Sequence, residues 1–324
     1  MRKTISLLLA GLFILSLLVV GCGKAEVSKQ QTVNYPTKTI ELIVPYAAGG
    51  GTDAVGRALA EALKNVLKQE VVVVNKTGGA GAVGMNEGLH AKTDGYTITM
   101  VTREVAMLPM LGQAPFKTMD FRFVGNVNVD PEVVVVSTNS PYKTIEELIA
   151  AMKANPGKIK FAAASAPNFY AIQFSLAAGV SFMTVPFQGA APAMTEILGG
   201  RSDFGIYNPG EIKAQVEGGK IRPLAVMSEK RVEGIKDVPT FKEKGLDIIC
   251  GTYRGIAVPP QTPNEVVKVL EEAIAKAAQD PKFVEFMNKS FLGIEYKNSA
   301  DFKKLIEADM KVLQPVVDIA NKKQ

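Results

Sequence analysis

Tryptophan is absent from this 324-residue chain, histidine occurs once and cysteine twice. Each scarcity excludes something. A lone His90 cannot build the clustered imidazoles of a zinc or iron centre, and no cysteine–histidine pair has metal-ligand spacing. The G-x-S-x-G elbow of serine hydrolases and the P-loop of nucleotide hydrolases are both missing. His90 falls near an expected helix end, a place for a solvated or capping imidazole rather than a general base. Cys250 lies in Ile248-Ile249-Cys250, the setting of a small buried hydrophobe rather than a nucleophile. Catalysis is poorly supplied, and neither metal nor cofactor is expected. Neither charge sign dominates, with 37 basic and 32 acidic residues. No basic stripe is interleaved with aromatics, so nucleic acid is not an expected partner.

What is present begins with a processing signal. Arg2 and Lys3 precede an uncharged, mostly apolar run at 5–20, shorter than the roughly 20 residues that span a bilayer. The run ends in Val19-Val20-Gly21-Cys22, which resembles a bacterial lipobox. That ending implies a signal peptide at 1–21, cleavage before Cys22 and a diacylglyceryl thioether on its sulfur. Residues 23–34 are polar without a hydrophobic period, so 22–34 reads as a tether from the membrane. Cys250 would then be the only thiol, and no internal disulfide can brace the fold.

The length allows about two domains with a sizeable core. Strand and helix signals alternate along the chain, the pattern of an α/β protein with parallel-type sheets. Val71-Val72-Val73-Val74 reads as a buried strand, as do 96–101, 133–136 and 159–163. Thr144 with Glu147 three positions on is a capping box, and Thr262-Pro263-Asn264-Glu265 predicts a second with proline first in the helix. No Gly/Ser linker separates two halves. Extended stretches at 124–136 and 251–258 suit two crossings between lobes, giving lobe one at 35–128 and 254–324 and lobe two at 129–253.

Residues 40–67 carry the strongest local signal. Ile40-Glu41-Leu42-Ile43-Val44 runs into Pro45-Tyr46-Ala47-Ala48-Gly49-Gly50-Gly51-Thr52-Asp53, and an amphipathic helix follows with Val55, Leu59, Leu63 and Val66 on one stripe. Glycines let backbone approach a ligand, and a helix start offers unpaired N–H groups carrying about half a positive charge. A version returns at Val185-Pro186-Phe187-Gln188-Gly189-Ala190-Ala191-Pro192. Two such turns suggest two lobes aimed at one cleft, a receptor for a small anion. A rival is Gly79-Ala80-Gly81-Ala82-Val83-Gly84, a literal dinucleotide fingerprint with Glu104 downstream. Asn75-Lys76-Thr77-Gly78 makes the gap after its strand too long for the tight turn that motif needs.

Seven segments in order resemble the extracytoplasmic solute receptors of tripartite tricarboxylate transporters. They are Tyr35-Pro36-Thr37-Lys38 with Ile43-Val44-Pro45-Tyr46-Ala47-Ala48-Gly49-Gly50; Val74-Asn75-Lys76 with Gly78-Gly79-Ala80-Gly81; Asp94-Gly95-Tyr96-Thr97; Val185-Pro186-Phe187-Gln188-Gly189; Gly199-Gly200-Arg201-Ser202-Asp203; Asp237-Val238-Pro239-Thr240; and Gly255-Ile256-Ala257-Val258-Pro259-Pro260. The resemblance implies a two-lobed class II periplasmic-binding-protein (Venus flytrap) fold closing on a carboxylate. It also implies an extracytoplasmic receptor that delivers its ligand to one large and one small membrane subunit; with the lipobox, the expectation is a lipid-anchored monomer. A carboxylate receptor of another transporter or sensor class, or an exported α/β enzyme, remains the alternative. The chain departs from the family at Ser165-Ala166-Pro167-Asn168-Phe169-Tyr170, where members commonly carry a histidine. Tyr253 stands where a tryptophan is common, and Arg103 and Arg254 where small or apolar residues are usual.

Expected ligand contacts are Tyr46, Ala47, Ala48, Gly49, Gly50, Gly51, Thr52 and Asp53 in the first turn, with Gly79 and Ala80 on a facing wall. Asp53 has a second reading as a partner for the helix dipole. Ser165, Asn168, Gln188, Gly189 and Asn208 would be polar contacts from lobe two, Tyr207 with Asn208 closing the cleft. Arg103, after a strand end, either clamps a second carboxylate or forms a surface pair with Glu104. Arg254 lies on a crossing strand, one face of which points outward.

Overall fold

A computed structural model describes residues 34–164, 168–187 and 190–322. The body from Tyr35 onward is one compact unit built on two mixed sheets. Sheet one holds β1 (Ile40–Val44), β2 (Val71–Asn75), β3 (Thr97–Thr102), β4 (Arg122–Pro131), β10 (Gly251–Val258) and β11 (Lys297–Asn298), ordered β11-β4-β10-β3-β1-β2. Sheet two holds β5 (Val133–Ser137), β6 (Lys160–Ala163), β7 (Met183–Pro186), β8 (Phe204–Tyr207) and β9 (Ile221–Val226), ordered β7-β6-β8-β5-β9.

The α/β reading holds, with one amendment. β2, β1 and β3 run parallel, as do β7, β6 and β8, but β10 lies antiparallel between β3 and β4, and β5 antiparallel between β8 and β9. The antiparallel strands are the ones joining the sheets. A chain that leaves one sheet and later returns re-enters it at the end it left, so its return strand runs against its exit strand. β4 leaves sheet one at Pro131, β5 starts two residues later, and β10 returns with Gly251 paired to Pro131.

Ten helices flank these sheets among the described residues: α1 (Gly51–Leu67), α2 (Ala82–Leu89), α3 (Glu104–Met110), α4 (Ile145–Ala154), α5 (Phe169–Ala178), α6 (Ala190–Leu198), α7 (Pro209–Glu217), α8 (Asn264–Ala277), α9 (Pro281–Lys289) and α10 (Ser299–Lys322). α1 forms where apolar residues recur at helical spacing, and it buries Val55, Leu59 and Leu63 fully. Each such side chain contributes about 1.5–3 kcal/mol on leaving water. α2 lies flush on β3, since a Cβ at Gly88 would stand 1.8 Å from Thr99 Oγ1. The capping box before α4 forms, Thr144 Oγ1 accepting from Glu147 N–H at 3.3 Å. The one expected before α8 does not. Thr262 Oγ1 donates instead to the Pro259 carbonyl at 2.9 Å, and Pro263 takes the cap position rather than the first helical one.

Phe116, Phe121, Phe123, Tyr253 and Phe302 pack on sheet one, while Phe161, Phe174, Phe204 and Phe241 fill one face of sheet two. A smaller cluster joins Phe169 of α5 to Val316 and Val317 of α10. The C-terminal helix thereby touches the helical layer of sheet two. No helix among the described residues is long and apolar enough to cross a membrane.

Candidate functional site

β1 delivers the chain into the turn Pro45-Tyr46-Ala47-Ala48-Gly49-Gly50, and α1 opens at Gly51. Residues 47–51 are exposed, while Thr52 and Asp53 are buried beneath them. The first backbone bond at this helix start is Ala54 N–H to Gly50 O at 2.9 Å, and no side chain caps the terminus. The N–H groups of Gly51, Thr52 and Asp53 therefore have no hydrogen-bond partner among the described residues. Three free donors at the positive end of a 17-residue helix are groups of the kind that attract an anion.

Asp53 shapes this turn. Its carboxylate accepts from Gly49 N–H, Arg57 Nε and Asn75 Nδ2, each at 2.9 Å, and Asn75 Nδ2 also donates to the Tyr46 carbonyl at 2.8 Å. Burial alone would raise the Asp53 pKa. The hydrogen bonds from Arg57, Gly49 and Asn75 outweigh that and lower it. Of its two readings, the geometry favours the one in which Asp53 holds the helix start.

The wall at 78–81 packs on Tyr46, whose Oη donates toward the Ala80 carbonyl at 3.2 Å and lies 2.9 Å from Thr102 Oγ1. Thr102 in turn donates to Glu104 Oε2 at 2.5 Å. Burial first, then the Glu104 carboxylate, pushes the Tyr46 phenol well above its usual 10, keeping it a neutral donor. Gly78, Gly79, Ala80 and Gly81 all have positive φ, a conformation that glycine adopts freely. The loop forms one 3₁₀ turn, with α2 starting only at Ala82. The dinucleotide fingerprint thus lacks its tight strand-to-helix turn.

From the sheet-two side, Asn168 caps α5, Oδ1 accepting from Ala171 N–H at 2.9 Å. Asn208, before α7, donates Nδ2 to Glu132 Oε1 at 2.9 Å. Tyr207 is a core residue beside Val133 and Ile212 rather than a cleft-closing one. Ser165, Gln188 and Gly189 lie outside the described residues, as does Cys22.

Arg103 corrects both of its expectations. It is 2% exposed, so it makes no surface pair with Glu104. Its fork is also engaged: Nε and Nη2 donate to Asp309, Nη1 and Nη2 to Gln173 Oε1 at 3.3 Å, and the Tyr170 ring lies 5.3 Å from Cζ. Those partners come from α10 and α5, long-range neighbours that no local spacing announces. Arg254, by contrast, stands at the glycine turn, where its Nε donates to Thr52 Oγ1 at 3.0 Å.

A cavity of about 840 Å³ opens elsewhere, between the 227–234 segment, Ile249–Gly251 and the Leu305, Asp309 and Val312 face of α10. None of the expected ligand contacts lines it. Its Arg231 and Asp309 are already paired, with Glu243 and Arg103. The exposed turn at Gly51 instead gathers three unpartnered backbone N–H groups.

Two sheets joined by paired crossing strands, with an uncapped helix start and a glycine turn, define a two-lobed solute receptor rather than an enzyme. The chain belongs to the tripartite tricarboxylate transporter family receptors, whose model matches residues 55–321. Protein BugT of Bordetella pertussis is 30% identical over 259 residues, covering 78% of this chain and 79% of its own length. A TctC solute-binding protein from Polaromonas, solved without ligand, is 35% identical, with a TM-score of 0.78 over 88% of this chain and 99% of its own. The fold is also shared by a Rhodopseudomonas palustris protein solved with adipate, at 24% identity and a TM-score of 0.77, covering 89% and 98% of the two chains.

Proposed function

We propose that this receptor is lipid-anchored through Cys22, faces the extracytoplasmic side, and captures a small carboxylate for delivery to the large and small membrane subunits of a tripartite transporter. The observation that carries the carboxylate reading is the unpartnered N–H triplet of Gly51, Thr52 and Asp53 at an exposed turn. A carboxylate there would satisfy donors that otherwise face only water. Tyr46, Ala47, Ala48, Gly49 and Gly50 would contribute backbone and phenol contacts, with Gly79 and Ala80 opposite. Ser165, Asn168, Gln188, Gly189 and Asn208 would contribute from the other lobe. The adipate found in the R. palustris relative is a carboxylate of this kind.

The lobes would comprise 35–128 with 254–324, and 129–253. Sheet membership supports this division, with β4 extending the first lobe to Pro131 and β10 re-entering it at Gly251. A ligand held only in the folded receptor adds about 2.7 kcal/mol of stability at a hundredfold excess over Kd. The test is a thermal-shift screen of lipid-free protein against mono-, di- and tricarboxylates. Stabilisation by at least one, with the ligand recovered unaltered, is expected. Indifference to every carboxylate, or recovery of a chemically changed ligand, would overturn the proposal.

A further inference from the structure

Arg254 has a geometry that a purely structural ion pair does not require. It is 5% exposed, on β10, with its guanidinium at the start of α1. Nε donates to Thr52 Oγ1 at 3.0 Å, and Nη1 donates to Asn128 Oδ1 and Asp130 Oδ2. Asp130 is itself fixed, Oδ1 accepting from Gly293 N–H at 2.8 Å and Asn128 Nδ2 at 2.9 Å. Two of the three guanidinium nitrogens are thus anchored. The third, Nη2, has no partner among the described residues and reaches the glycine turn. A Cβ on Gly51 would stand 3.2 Å from it. Nη2 therefore lies beside Gly51, the first residue of the unpartnered N–H triplet.

We propose that Arg254 is a ligand contact which, with the backbone N–H groups of Gly51, Thr52 and Asp53, forms a donor-only site for one ionised carboxylate. The inference rests on reading the glycine turn as the carboxylate site, and it names what that site selects. Four converging donors accept a group that offers only lone pairs, and a carboxylate does so on both oxygens. A carboxamide would turn its own N–H bonds toward these donors and offer them a single acceptor oxygen, so the acid is favoured over its amide. Asp130 gives the buried guanidinium a counter-ion while the site is empty, and the anchors at Thr52 and Asn128 fix its orientation beforehand, so little side-chain order is lost on binding. Gly51 has a role here too, since any larger residue would crowd Nη2.

The test is isothermal titration of the lipid-free protein with succinate, adipate and their diamides, each variant checked for cooperative unfolding. The parent should bind at least one diacid and discriminate strongly against its diamide. Arg254→Lys keeps the charge facing Asp130 but loses the Nη2 edge. It should weaken the diacid about ten- to a hundredfold, with diamide binding unchanged. Should that variant misfold, the paired change Arg254→Gln with Asp130→Asn replaces the ion pair by amides, and it should show the same selective loss. Parent-like diacid affinity in a folded variant would overturn the role of Arg254 while leaving the carboxylate reading intact. Should the parent prefer another carboxylate of the thermal-shift panel, that acid and its amide replace the diacid pair, and a parent that binds no carboxylate overturns both. Equal losses for diacid and diamide would mark Arg254 as structural and likewise sink the inference.

Discussion

Arg103 and Asp309 lie 206 residues apart and meet through two parallel hydrogen bonds, Nη2 to Oδ1 at 2.7 Å and Nε to Oδ2 at 2.9 Å. The same guanidinium reaches Gln173 on α5, so one side chain links the end of β3, the C-terminal helix and the helical layer of sheet two. Charge-assisted fork pairing gives this junction a fixed geometry.

Removing one partner should therefore cost stability more than binding. Arg103→Ala leaves Asp309 without its counter-charge and should lower unfolding free energy by about 3–5 kcal/mol. A double-mutant cycle with Asp309→Ala should give a total well short of the sum of the single losses. Denaturant titration measures both, and a single-variant loss under about 1 kcal/mol would place the pair among weak surface bridges.

Glu132 should make stability fall as pH rises. Burial first, then the Glu211 charge, holds its carboxyl well above the usual 4.5, with Asp130 adding to the shift while Arg103 and Asn208 oppose it. The folded state then binds a proton that the unfolded chain releases. Its contribution is fully present below about 4.5 and is lost as pH climbs through the raised folded value. Glu132→Gln imitates the protonated form and can still accept from Asn208. Chemical denaturation across pH 4–9 should show a flatter profile for the variant, with its largest relative gain at the alkaline end. Parallel profiles would refute this.

Asp53 carries the opposite sign. Its lowered pKa means that its contribution is present above the usual 3.8 and is lost as pH falls through the folded value. Asp53→Ala also strips Gly49 N–H, Asn75 and Arg57 of an acceptor, at about 1–3 kcal/mol. The turn should loosen, so carboxylate affinity drops together with stability, and hydrogen exchange at Gly49 should speed up. Unchanged exchange there would remove Asp53 from the scaffold of the turn.

Cys22→Ala should leave a precursor of full length that is not released from its leader. Radiolabelled fatty acid should mark the parent and not the variant. A mature-sized, membrane-retained alanine variant would contradict lipid anchoring.

Local chemistry made much of this protein legible. The strand–glycine–helix passage at 40–67, the capping box at Thr144 and Glu147, and the alternation of strands and helices depend on neighbours within a few residues, and each is where the spacing placed it. His90 ends α2 with Nδ1 2.9 Å from the Asn86 carbonyl, and Cys250 is buried beside Met227 with its thiol pushed up to about 12 by desolvation. The strand pair around Pro131 carries a further local signal. Asn126, Asn128, Asp130 and Glu132 alternate with Val127, Val129 and Pro131, a polar stripe of period two through otherwise apolar strands. All four are buried, and the middle pair receives Arg254.

By itself the sequence determined the elements and the place of the glycine turn that opens α1, because hydrophobic period, glycine and capping chemistry act over a few residues. The tertiary structure alone decided what each arginine does. Arg103 and Arg254 look alike along the chain, each polar in an apolar setting. Their roles depend on partners 206 and 124 residues away, respectively Asp309 and Asp130. A guanidinium saturated by a carboxylate and an amide is a brace, whereas one with an unpartnered nitrogen beside free backbone N–H groups can meet a ligand. Only folding brings those partners within 3 Å, so residue type and spacing could not tell the two apart.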